Sequence, residues 1–196
     1  MIIDNNSYFC KFIEYIIKLM EAIVKFFRRR AINAFQKHKK TCILPDIGKY
    51  STIAILLDEE QFKRYKDIER TLTKLFVMKR YTFIVLVNSL PKDVMQTDRY
   101  YFIRKEDFNF WGLMKLEKKE SLISLSFDMV VDFSKSSDAD YAHSYIMTLI
   151  NNTFRVTFGS TCPSLYDMVI DSKRDDDILD KIEILRNYLS MLLGRR

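Results

Sequence analysis

The sequence predicts an α/β fold: an open, mostly parallel six-stranded Rossmann-like sheet flanked by helices, preceded by a long N-terminal amphipathic basic helix. Three observations predict it. From residue 51 onward, short apolar runs recur in which consecutive positions are apolar, the mark of strands buried on both faces. Stretches of helical periodicity separate those runs, which is the alternation of a parallel sheet with crossover helices. Residues 5–40 contain no Gly or Pro and carry charges at 11, 14, 18, 21, 25 and 28, alternately three and four apart. At about 100° per residue these charges form one stripe roughly 100° wide.

The first element is therefore a helix. Glu14 to Lys18 and Glu21 to Lys25 have the favourable i,i+4 orientation. Its other face is unusually wide: Phe12, Ile16, Leu19, Ile23 and Phe26 lie around much of the circumference, with Phe9, Ile13, Ile17, Met20 and Phe27 between them. A helix lying on a globule shows a narrower apolar stripe, so this one should be covered on more than one side. Continued to residue 40 it would be about 50 Å long at 1.5 Å per residue. A break or an overhang past the body is expected. Pro45 and Gly48 end the pattern, which divides the chain into a basic helical arm, 1–44, and an α/β body, 51–196.

The body opens with "STIAILLD" (51–58), a strand. A helix follows, with Phe62, Tyr65, Ile68, Leu72 and Leu75 on one face. "YTFIVLVNS" (81–89) and "YYFIRK" (100–105) are the second and third strands. A charged helix from Glu117 leads into "SFDMVVD" (126–132), and "ADYAHSYIMTLINN" is helical. "FRVTFGS" (154–160) and "LYDMVID" (165–171) are the last two strands. The closing helix has Ser172 and Asp175 in capping-box spacing, and Ile178, Ile182, Leu185, Leu189 and Leu192 as its buried stripe. The strand order that suits this series is 3-2-1-4-5-6. The link between the last two strands, around Cys162 and Pro163, is too short for a standard crossover helix. "SFDMVVD" and "LYDMVID" read as two strands under one rule: an aromatic and Asp lead in, three apolar residues cross the core, and Asp leads out. Their flanking elements differ, so they are not a repeat.

The charge is unevenly spread. Of 32 Lys/Arg, nine lie in residues 1–40, against three of the 26 acids; the remainder balances at 23 and 23. All of the +6 excess thus sits on the arm. Arg28, Arg29, Arg30, Lys37, Lys39 and Lys40 are the candidate partner-binding residues. They suit an anionic surface, either a membrane surface or RNA such as the ribosome, or a protein. Self-association through the apolar face into a homo-oligomer is a further option. No run of 18 uninterrupted apolar residues occurs, so no transmembrane span is expected. The start does not read as a signal peptide. Three scattered cysteines suggest neither a disulfide framework nor a zinc site. A cytoplasmic location, with peripheral attachment to the inner membrane face, fits these features.

Asp58, Asp132 and Asp171 all end strands. In the order 3-2-1-4-5-6, Asp58 and Asp132 flank the switch point where open parallel sheets bind ligands. They are the candidate catalytic pair, able to hold a cation or to do acid–base work; Asp capping the following helix is the plainer role. Asp171 lies at the sheet edge and reads as structural. No G-x-G-x-x-G and no G-x-x-x-x-G-K-[ST] is present among only four glycines, so no nucleotide cofactor is expected, and no metal site either. In "SKSSDAD", Lys135 and the serines could face an anion, but Asp138 and Asp140 favour N-capping. His143 reads as an ordinary surface or core histidine. The aromatic loop "DFNFWGLMK", with Phe108, Phe110 and Trp111, can stack a ligand or close the end of a core, and closure is favoured.

"DFNFWG", "FDMVVDFS" and "YDMVID" before a final amphipathic helix resemble a bacterial domain family of unknown function. More distantly, "FDMVVDFS…NNTFRVTFGS" is similar to the N-terminal half of heptosyltransferase-type glycosyltransferases. That resemblance implies a Rossmann-like half-fold. The glycine-containing loop of those transferases is here "LLDEEQFK", and their second, nucleotide-sugar domain does not follow within the 196 residues, so no catalytic residue carries over. The reading is a non-catalytic binding or scaffold protein localised by its basic N-terminal helix. The alternative is a small glycosyltransferase-like or phosphate-ester enzyme with a concave site joining Asp58, Asp132 and the Trp111 loop.

Overall fold

The computed structural model describes residues 5–38, 50–76, 80–89, 97–134, 141–159, 162–171 and 177–193. Helix α1 (Asn5–His38) comes first, unbroken over 34 residues. Strands β1 (Thr52–Asp58), β2 (Arg80–Val87), β3 (Tyr100–Arg104), β4 (Ser126–Asp132), β5 (Asn151–Phe158) and β6 (Met168–Ile170) form one sheet. Its order is β3-β2-β1-β4-β5-β6 and every pairing is parallel. This is the expected Rossmann-like order. Helices α2 (Glu59–Phe62), α3 (Tyr65–Leu75), α4 (Leu116–Ser124), α5 (Ala142–Leu149) and α6 (Ile178–Leu193) complete the described α-helices.

The sheet separates two cores. Ile53, Ile55 and Leu57 of β1 face α3 and α6, where Ile68, Leu72, Ile182 and Leu185 are buried. Ala54 and Leu56 face the other way, onto Ile32 of α1, Leu122 of α4 and Ile146 of α5. Alternate residues of one strand thus enter opposite cores, which is why the strand sequence shows no polar alternation. Five buried residues in a row, Ile53–Leu57, make β1 the centre of the molecule.

Several boundaries differ from the sequence reading. The helix after β1 is divided by a turn at Lys63–Arg64 into α2 and α3. Asn151 and Asn152, read as helix, begin β5, because their pairing with Ser126 and Phe127 offers the backbone more than a frayed last turn would. The short link between β5 and β6 carries a 3₁₀ turn, Pro163–Leu165, and the pairing across it is still parallel. Helix α6 begins at Ile178, with Asp177 Oδ1 accepting from Leu179 N at 2.8 Å. Ser172 and Asp175 lie outside the described residues.

The two related strand sequences share one device. Asp128 Oδ2 accepts from the backbone N–H of Ser51 (2.8 Å) and Thr52 (2.9 Å) at the start of β1, and from both hydroxyls. Burial pushes this carboxyl up, but the hydrogen bonds from Ser51 and Thr52 outweigh it and hold the group below the usual carboxylate range. Asp167 Oδ2 likewise accepts from Arg155 N (2.8 Å) of β5. The leading aspartate of each strand therefore binds the backbone of the strand beside it, a role the sequence reading had not assigned.

Candidate functional site

The carboxyl ends of β1 and β4 lie side by side at the switch point, since β1 pairs β2 on one side and β4 on the other. Above them runs a groove of about 1090 Å³. One wall is helix α1, through Ile16, Ile17, Met20 and Val24; the other holds Asp58, Leu86, Phe108 and His143. Lys25, Lys63 and Lys105 stand around its rim together with Glu21, Glu59 and Glu60.

Asp58 opens onto this groove and caps α2 in the same geometry. Its Oδ1 accepts from Gln61 N at 2.9 Å, and Gln61 Oε1 accepts from Asp58 N at 3.2 Å. Gln61 Nε2 donates to the Phe133 carbonyl, which ties the cap to the end of β4. Asp132 does not line the groove. It is buried behind it, with Oδ2 accepting from the Tyr166 hydroxyl (2.5 Å) and Oδ1 from Ser134 N (2.9 Å) and Oγ (2.5 Å). Burial raises the Asp132 carboxyl above its ordinary value; nearby His143 and the hydrogen bonds from Ser134 and Tyr166 pull it back only in part. The two aspartates are neighbours in the sheet but face different surroundings.

His143 is the residue that sequence reasoning passed over. It is the second residue of α5, 7% exposed, on the groove wall, and its buried Nε2 has no hydrogen-bond partner among the described residues. Nothing in its local sequence marked it, because the residues that surround it come from distant elements. Tyr141, just before α5, holds φ +57, a left-handed backbone uncommon outside glycine. Lys135, Asp138 and Asp140 lie outside the described residues. Asp171 is exposed just past β6. Among the described residues no group of three or more His, Cys, Asp or Glu is placed to hold a metal ion.

The aromatic loop does not fill the strand ends. Phe108 lines the groove, whereas Phe110 and Trp111 are exposed and the Trp111 ring sits 4.9 Å from Phe27 of α1. The loop is instead a saddle for α1. Gly112 takes φ +72, and a Cβ there would lie 2.4 Å from Val24 Cγ1, so the helix rests against bare backbone. Arg28 completes the contact: it is buried, its Nε donates to the Gly112 carbonyl at 2.9 Å, and its guanidinium lies 5.0 Å from the Phe108 ring centre.

The basic cluster is accordingly split. Arg28 is turned into the protein, because its place on the helix is the docked face. Arg29, Arg30 and Lys37 are exposed; Lys39 and Lys40 lie outside the described residues. The docked half of α1 continues with Ile32, fully buried against α5, and Phe35, whose ring stacks on Arg155 at 4.8 Å. From Cys10 to Leu19 every residue of the helix is exposed. The expected overhang is present, and it carries Phe12 and Tyr15 at 60% and 67% exposure. No described helix is long and apolar enough to cross a membrane.

No curated protein and no solved structure matches this chain. The sequence model of a family of unknown function, DUF6913, matches residues 23–192, from the docked half of α1 through α6. The chain belongs to that family.

Proposed function

We infer that this is a non-catalytic binding or scaffold protein whose α/β body presents helix α1 as its interaction surface. The observation that carries this is the overhang: large apolar side chains on Cys10–Leu19 are solvent-exposed on a helix whose other half is anchored in the core. Isolated exposed leucines are ordinary, but a continuous apolar helix face is a contact surface. The exposed Arg29, Arg30 and Lys37 then supply charge for an anionic surface, lipid headgroup or nucleic acid backbone, or for an acidic protein. The test is density-gradient fractionation of native lysate with the full chain, with a Phe12→Glu/Leu19→Glu variant and with an Arg29→Ala/Arg30→Ala/Lys37→Ala variant. The full chain should sediment with larger particles and at least one variant should stay light. Three identical, light profiles would refute the reading.

A second reading, a small glycosyltransferase-like or phosphate-ester enzyme at the strand carboxyl ends, is favoured by the groove and by His143 at its wall, whose Nε2 has no hydrogen-bond partner among the described residues. In it, His143 would move a proton and Asp58 would orient a hydroxyl. Asp58→Asn and His143→Ala, each folded, would then abolish function while the α1 variants retained it. The heptosyltransferase-like strand pattern belongs to this reading as an analogy of sequence only.

A further inference from the structure

The face by which α1 docks runs on past the body contacts and over the groove. Ile17, Met20, Val24, Arg28, Ile32 and Phe35 are spaced three or four apart and share one side of the helix. Toward the helix C-terminus this face is core, with Ile32 1% exposed. Toward the N-terminus Ile17 and Met20 line the groove, and Ile17 is 52% exposed. The apolar stripe that the body covers at one end is thus left uncovered by it at the other. Leu86, Val87 and Phe108 give the facing wall an apolar surface as well. The space between, about 1090 Å³, matches the upper end of small-molecule sites, about 300–1,000 Å³.

The charges and His143 narrow the class of ligand. Apart from His143, the described lining carries Lys25, Arg28, Lys63 and Lys105 against Glu21, Asp58, Glu59 and Glu60, four of each sign. The balance selects neither an anion nor a cation. Several of these groups are committed elsewhere: Arg28 to the Gly112 carbonyl, Asp58 to Gln61 N, and Glu59 Oε2 to Asn88 N (3.0 Å) and Nδ2 (2.6 Å). A phosphate would find no glycine-rich loop after β1, only the acids of α2. The one polar group that calls for a partner is His143. It is 7% exposed on the groove wall, and its Nε2 is buried with no hydrogen-bond partner among the described residues. Buried polar atoms are nearly always paired, so a ligand group that meets this nitrogen is favoured. An imidazole nitrogen donates or accepts according to its tautomer. A hydroxyl suits both cases because it does both, whereas a carbonyl only accepts.

We propose that the groove between α1 and the carboxyl ends of the central strands binds an uncharged, largely apolar small molecule bearing a hydroxyl group. Its apolar body lies against Ile17, Met20 and Phe108, and its hydroxyl pairs with His143 Nε2. The site is on the inner side of α1, so it stands apart from the outer face as an interaction surface, and it requires no reaction at the strand ends. Because the ligand touches both walls, its binding also holds the N-terminal half of α1 to the body.

The test is equilibrium dialysis of the full chain at neutral pH against three probes of one ring size: naphthol, naphthalene, which lacks the hydroxyl, and naphthoate, which carries a charge in its place. Naphthol should bind most tightly, with the other two weaker by about tenfold or more. His143→Leu should erase the preference for naphthol over naphthalene, and His143→Gln, which keeps a donor and an acceptor, should retain part of it. Met20→Trp places a larger ring in the groove from a half-exposed position and should weaken all three by about tenfold or more. Leu19→Asp, on the outer face, should change none of them. Folding of each variant is read by circular dichroism; if His143→Leu does not fold, the probe comparison and Met20→Trp still decide. Failure of naphthol to bind overturns the proposal, as does binding that Met20→Trp leaves intact or that Leu19→Asp removes, since the probe would then lie outside the groove. Tighter binding of naphthoate overturns the uncharged class. A hydroxyl preference that survives in folded His143→Leu overturns the contact with His143.

Discussion

Replacing Gly112 with Ala puts the docking of α1 to a quantitative test. The backbone there is left-handed, at φ +72, and a residue with a Cβ pays about 1–2 kcal/mol to stay in that region. The added methyl would also sit 2.4 Å from Val24 Cγ1 and 3.2 Å from Val24 Cβ. Valine is short and stiff at χ1, so the helix rather than a rotamer must give way. Overpacking of this kind costs about 1–3 kcal/mol. The Arg28 bond to the Gly112 carbonyl, 2.9 Å, would lengthen with it. The expected loss is about 2–5 kcal/mol in urea unfolding. Trp111 is the only tryptophan and packs at a tilt against Phe27 of that helix, ring centres 4.9 Å apart, so its emission reads helix docking directly. It should shift toward that of solvated indole before the body unfolds. Val24→Ala in the same background should recover the part due to the clash and leave the backbone part, giving a positive coupling in the double-mutant cycle. A loss under about 0.5 kcal/mol with unchanged emission would refute the saddle, since even the backbone cost alone exceeds that.

Other outcomes follow from the same structure. Asp128→Ala leaves the N–H groups of Ser51 and Thr52 without their acceptor and should cost about 1–3 kcal/mol. The folded Asp128 carboxyl is held below its unfolded value, so its stabilisation is full above about pH 4 and is lost as pH falls through the folded value; the gap between wild type and Asp128→Asn should close over that acid range. Asp132 has the opposite sign: raised by burial, it favours folding below its unfolded value and loses that advantage as pH rises through the folded one. Asp132→Asn should therefore be at least as stable as wild type at pH 8, with no such advantage at pH 3; a variant less stable at pH 8 than wild type would contradict the assignment. The Tyr100 hydroxyl is pushed up to about 12 by burial and then by Glu69, so ultraviolet titration should lose one late-ionising tyrosine in Tyr100→Phe. The stability it lends is whole below about pH 10 and fades as pH climbs toward its folded value.

Much of the fold was legible because it is written in short-range patterns. Uninterrupted apolar runs such as Ile53–Leu57 separate a two-sided parallel strand from a one-sided antiparallel one, and helical spacing picked out Ile68, Leu72, Ile182 and Leu185 as buried. The overhang of α1 followed from counting residues. What was not legible depends on contacts between distant positions. Arg28 looked like the other arginines until Gly112, 84 residues on, gave its guanidinium a carbonyl. Asp128 looked like a strand-leading acid until Ser51 and Thr52, 77 and 76 residues back, came alongside. His143 acquired its place only when α1 and the ends of β1 and β4 closed around it. The turn at Lys63–Arg64 shows another limit: the apolar spacing of Phe62, Tyr65 and Ile68 fits one helix or two equally well, because the turn preserves the face.

The docking of α1 also bears on the order of synthesis. Gln36, near the helix's end, bonds to Ser164 Oγ at 2.6 Å, 128 residues later in the chain. At about 5–20 residues per second that distance takes the ribosome roughly 6–25 s. Throughout that interval α5 and the turn at Pro163–Leu165, the surfaces that α1 covers, are unmade or incomplete. The helix leaves the exit tunnel ahead of the body and settles on it late, with both its inner and outer apolar faces bare in between. Slowing translation before β5 would therefore lengthen the interval in which both faces are bare.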